Sequence, residues 1–95
     1  MNLPLPSLRL QGRLGEALAA LERALAAAPN SEVVRANLAA ALTERGTVLK
    51  MAGRAAEGVA AYERALALRP RQPEALYNLG VALAEAGQVD RAIFM

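Results

Sequence analysis

The chain is 95 residues long, 55% apolar and nearly balanced in charge at +2, which bounds it to one small domain. It has neither cysteine nor histidine, so disulfides, thiolate metal sites and the commonest general base are excluded. Ten of its eleven cations are arginine, interspersed with nine carboxylates. No basic stripe with stacking aromatics suggests nucleic acid, and no apolar run suggests a membrane span.

The opening segment, Met1 to Leu10, holds two prolines and no charged leader before an apolar stretch, so it makes a poor signal peptide. The chain therefore reads as soluble, intracellular and cytoplasmic, or nucleocytoplasmic in a eukaryote. From about residue 14 the composition turns to Ala, Leu, Arg and Glu, which favours helix. This predicts a helix over about 14–28, closed by Pro29. Ser31 suits the position that starts the next helix. Its apolar positions, such as Leu38 and Leu42, fall at helical spacing. A further helix runs to about Arg69 and is closed by Pro70. Pro73-Glu74 suits the first turn of another, which carries Leu76, Leu79 and Leu83 and runs to Gly87. Val89 to Met95 would then open a fifth helix.

These segments repeat. Gly15 to Ala28, before Pro29, aligns with Ala56 to Arg69, before Pro70, sharing a Glu-Arg-Ala-Leu core at Glu22-Arg23-Ala24-Leu25 and Glu63-Arg64-Ala65-Leu66. Arg35 to Leu42 aligns with Leu76 to Leu83, bringing Asn37 onto Asn78. Glycine stops one kind of helix and proline follows the other, so the unit is helix–turn–helix.

This unit resembles the tetratricopeptide repeat. Ala17, Gly58 and Ala92 match its small residue where two helices cross. Ala24 and Ala65 match the small residue late in its second helix, and Pro29 and Pro70 its terminal proline. The resemblance implies an all-α solenoid of antiparallel helix pairs in a right-handed superhelical stack of about 2.5 repeats. Residues 1–95 then form one module: a partial repeat over 1–30, a complete one over 31–72 and a truncated one over 73–95.

The two prolines stand 41 residues apart, seven more than the family's period of 34. The surplus lies between Gly46 and Gly53. Seven residues are almost two helical turns, so an insert of that size keeps the apolar stripe nearly in phase. A first helix extended to about Ala52 is expected, with Gly46 tolerated at about 1 kcal/mol. The alternative is a break at Gly46 with a short extra turn. The stretch Leu42-Thr43-Glu44-Arg45-Gly46-Thr47-Val48-Leu49-Lys50-Met51-Ala52-Gly53, with Glu57-Gly58 and then Tyr77-Asn78-Leu79-Gly80-Val81, resembles the elongated repeat in the N-terminal arm of SPINDLY-type proteins. These are protein O-glycosyltransferases related to the O-GlcNAc transferases. The resemblance implies an arm that recognises a substrate or partner, and no activity in this chain.

Several side chains are candidates. Asn37 and Asn78 match the asparagines that form a ladder on the concave face of the O-GlcNAc transferase relatives. A primary amide both donates and accepts, so it pairs with a peptide backbone of any sequence. The competing role is a bond to a neighbouring helix that sets repeat spacing. The place matching these asparagines in the first repeat is Leu3. Tyr77 sits beside Asn78, either on the groove wall or packed between repeats. Leu38, Leu42, Leu49, Tyr62, Leu79 and Leu83 are expected to pack between repeats. Leu49 and Met51 either cover a neighbouring repeat or form an exposed patch.

The recurring carboxylates Glu16, Glu22, Glu57 and Glu63 read as solvated faces, and no acid pair indicates a catalytic pocket. No cofactor, metal, nucleic-acid or membrane site is expected, and the chain is not expected to be an enzyme. The expected partner is a protein or an extended peptide. Neither end carries a polar capping helix, and Val89, Ile93 and Phe94 would stand bare. The expectation is a fragment of a longer array or a module that self-associates through its exposed terminal helices.

Overall fold

A computed structural model describes residues 6–94, with side chains described for residues 12–87. Leu3, and the side chains of Val89, Ala92, Ile93 and Phe94, lie outside the described residues. Four helices follow one another: α1 (Pro6–Ala27), α2 (Glu32–Met51), α3 (Ala55–Leu68) and α4 (Pro73–Phe94). No strand occurs among the described residues. Each helix packs against the next in the chain, and α2 also touches α4. The principal extents are 48 × 43 × 20 Å, so the short dimension is about two helix diameters. This is an open stack of helices, not a closed bundle.

The helix boundaries follow from local chemistry. α1 begins at Pro6, where a missing N–H costs nothing, and ends just before Pro29. Ser31 is extended (φ −72°, ψ 116°), and its hydroxyl accepts from the Val34 N–H at 3.3 Å. That satisfies one of the free donors at the start of α2. α2 ends in a Schellman motif: Gly53 donates to the Lys50 carbonyl at 3.1 Å and Arg54 to the Leu49 carbonyl at 2.8 Å. Gly53 has φ 81°, which L side chains rarely adopt. The end of α3 is closed by Gln72, whose side-chain N–H donates to the Ala65 and Arg69 carbonyls at 3.1 and 2.9 Å. α4 starts at Pro73, as the sequence indicates.

α2 runs unbroken through Gly46, so the seven surplus residues lengthen the helix instead of breaking it. Gly46 is more than tolerated. It is buried, and a Cβ built there would lie 2.6 to 2.9 Å from the Tyr62 ring. A Cβ at Gly58 would lie 2.9 Å from the Gly46 carbonyl oxygen. The two glycines let the α2 and α3 backbones meet, since axes approach closely only where side chains are absent or small.

Two other boundaries differ from expectation. α1 starts at Pro6 and not near residue 14, since proline is favoured at the first helical position. α4 continues through Gly87 to Phe94, so the described chain has four helices and not five. A glycine inside a helix costs only about 1 kcal/mol relative to alanine. Gly87 is also followed by Gln88-Val89-Asp90, with no proline to force a stop.

The core is a cluster of Leu18 from α1, Leu38, Ala39, Ala41 and Leu42 from α2, and Ala65 from α3. Leu14, Leu21 and Leu25 of α1 and Leu68 of α3 pack around it. It spans the α2–α3 hairpin and the preceding helix α1, so α1 of the neighbouring repeat helps to seal that hairpin.

Candidate functional site

The outward faces of α2 and α4 carry the asparagines. Positions i, i+4, i+7 and i+11 lie on one face of a helix. On α2 that row is Val33, Asn37, Ala40 and Glu44, all exposed. The equivalent row on α4 is Glu74, Asn78, Val81 and Glu85, of which Glu74 is exposed and the others half-buried. The asparagines thus occupy matching places on the two helices that open successive repeats. No hydrogen bond to another described residue engages either side-chain amide. Among the described residues, then, neither amide serves as a spacer bonded to a neighbouring helix.

A groove of about 450 Å³ opens among α1, α2 and α4. Leu14, Ala17 and Val48 give it an apolar lining, with Thr47 alongside, and Arg13, Glu44 and Glu74 supply its charge. Glu44 lies two turns beyond Asn37 on the α2 row, and Glu74 one turn before Asn78 on the α4 row. The groove therefore shares both rows with the asparagines, although neither asparagine lines it. The contribution of Arg13 was not legible, because this residue precedes the start expected for the first helix.

The other candidates separate clearly. Leu38 and Tyr62 are fully buried, and Leu42 and Leu49 nearly so. Tyr62 fills the core as expected, its hydroxyl 2.8 Å from the Thr47 hydroxyl, which in turn lies 3.1 Å from the Thr43 carbonyl. Leu49 is buried, whereas Met51 is exposed. Leu79 is half-buried. Of the two places open to Tyr77, packing between repeats does not hold, because it is 73% exposed. One expectation needs correcting. Leu83 is also exposed, because no described helix covers the far side of α4.

Two polar links join the repeats. The Arg35 guanidinium donates to the Pro29 and Leu68 carbonyls, both at 3.3 Å, tying the α1–α2 turn to the end of α3. Arg64 of α3 forms a two-pronged pair with Glu22 of α1. Hydrogen bonds from Arg64 hold the Glu22 carboxyl below its ordinary value, and Glu22 raises Arg64 in return. The stabilisation is complete above the carboxylate range and is lost as pH falls through the depressed value. The pair is solvent-exposed and contributes at most about 1 kcal/mol. Acid titration of thermal stability should therefore show a small extra loss below about pH 4.5 in the wild type. Glu22→Gln should remove that increment.

Among the described residues, no helix is long and apolar enough to cross a membrane, and no cluster of three or more potential metal ligands occurs. Sequence models of the tetratricopeptide repeat match the chain over residues 8–48 and over 43–94. The chain belongs to the tetratricopeptide repeat family. Its architecture is that of an all-α tetratricopeptide solenoid, a scaffold for protein–protein interaction. No curated protein matches it.

Proposed function

We propose that this scaffold is the recognition arm of a SPINDLY-type protein O-glycosyltransferase, holding an extended segment of a protein substrate along α2 and α4. The observation that carries this reading is the equivalent placement of Asn37 and Asn78 on rows that both run to one groove. An amide at each repeat meets a peptide backbone at regular intervals, whatever its side chains. Tyr77, exposed beside Asn78, offers a flat apolar contact to the same ligand. The unbroken α2, with its paired glycines Gly46 and Gly58, supports the resemblance to the elongated repeat of that family. In this reading the chain has no chemistry of its own, takes no cofactor and works in the cytoplasm or nucleocytoplasm.

The test is a fluorescence-anisotropy titration with labelled, unstructured Ser/Thr-rich peptides and matched peptides lacking Ser and Thr. Wild-type protein should bind both saturably, because the amides read backbone. Asn37→Ala with Asn78→Ala should weaken binding at least tenfold, since each lost amide removes about 0.5–1.5 kcal/mol per hydrogen bond. Binding that is absent, or unchanged in the double variant, contradicts the reading.

A further inference from the structure

We propose that the chain associates with further copies of itself head to tail, α4 of one copy packing on α1 of the next as α2 packs on α3 within the chain. The inference rests on a comparison of positions 41 residues apart, the register that superimposes Asn37 on Asn78.

The α2 row that meets α3 contains Ala39, Leu42 and Gly46, all buried. Its counterparts on α4 are Gly80, Leu83 and Gly87, all exposed. Leu42 is 6% exposed and Leu83 52%. Gly46 is the crossing point against Tyr62 and Gly58, whereas a Cβ at Gly87 would meet nothing within 4 Å. On α4, no described helix covers the surface that α3 covers on α2.

α1 shows the reverse. The α3 residues Gly58, Ala61, Tyr62 and Ala65 are buried beneath neighbouring helices. Their α1 counterparts are Ala17 and Ala20, which are exposed, and Leu21 and Ala24, which are half-buried. Ala17 matches the crossing residue Gly58, yet no described helix buries it.

Charge gives a third and independent sign of the same register. Within the chain, Glu22 of α1 pairs with Arg64 of α3. Moving one repeat along, the counterpart of Glu22 is Glu63 on α3, and the counterpart of Arg64 is Arg23 on α1. Both are exposed, and neither forms an ion pair with a described residue. Head-to-tail stacking sets Glu63 of one copy against Arg23 of the next. The surface exposed at one end is therefore complementary to the surface exposed at the other, in shape and in charge. Such a contact is heterologous, and growth continues beyond a dimer unless the rotation closes a ring.

Sedimentation equilibrium of the 95-residue chain tests this. Weight-average mass should climb from 10.0 kDa with concentration, with no plateau at the dimer. Leu83→Glu should hold the chain monomeric, and so should Ala17→Glu, with circular dichroism unchanged because both sites are exposed. An equimolar mixture of the two variants should form a species of twice the monomer mass and nothing larger, because one intact α4 face meets one intact α1 face. A wild type that stays monomeric to about 1 mM, the regime of the weakest specific contacts, overturns the proposal. So does association that survives Ala17→Glu, which would indicate pairing of α4 with α4, and so does a mixture that stays monomeric.

Discussion

Replacing Gly58 with valine should lower stability by about 3 kcal/mol, a fall in Tm of roughly 12–24 °C for a domain of this size. A Cβ there would lie 2.9 Å from the Gly46 carbonyl oxygen and 3.4 Å from the Lys50 nitrogen. Both are backbone atoms of a continuous helix, so neither gives way by a rotamer change. The modest gain in helix propensity on losing a glycine, under about 1 kcal/mol, does not offset a forced separation of α2 and α3. The effect on propensity alone can be read at Gly80, where a Cβ meets nothing within 4 Å. Gly80→Ala should raise Tm slightly in the same thermal melts. Equal responses at the two sites would remove the close crossing from the account.

Tyr62→Ala should cost about 3–5 kcal/mol, a large part of the roughly 5–14 kcal/mol expected of 95 residues. The ring is fully buried and lies over Gly46 where a Cβ would otherwise be, so truncation opens a cavity at the α2–α3 crossing. Neither glycine can fill it. Tyr62→Phe keeps the ring and loses only the hydroxyl contact with Thr47, so it should cost about 1 kcal/mol. Urea denaturation of the two variants separates the terms: a large shift for alanine and a small one for phenylalanine are expected. Comparable shifts would place the stabilisation in the hydroxyl network instead of the packing.

The sequence was legible wherever punctuation and periodicity agreed. Ser31, Pro29, Pro70 and Pro73 mark ends that the structure shows, and Leu38, Leu42 and Tyr62 read as core and are core. Glycine was ambiguous, because one residue type serves three purposes here. Gly53 ends a helix with positive φ, Gly46 and Gly58 allow two helices to touch, and Gly87 lies within a helix. Spacing alone does not separate these, since the difference is what lies across the helix. The same reason explains Leu83 and Tyr77: periodicity shows that a residue belongs to an apolar stripe, not whether a helix covers it. The groove was the least legible feature. It joins Arg13, Glu44 and Glu74, which share no motif and meet only through the stacking of α1, α2 and α4.

The most direct test of recognition along α2 and α4 is a ¹H–¹⁵N spectrum of the protein during titration with an unstructured peptide. The side-chain amide pairs of Asn37 and Asn78 should shift together and saturate at one peptide per chain, with smaller shifts at Glu44 and Glu74. Shifts confined to α1 and α3, around Arg23 and Glu63, with both asparagine amides unmoved, would contradict it.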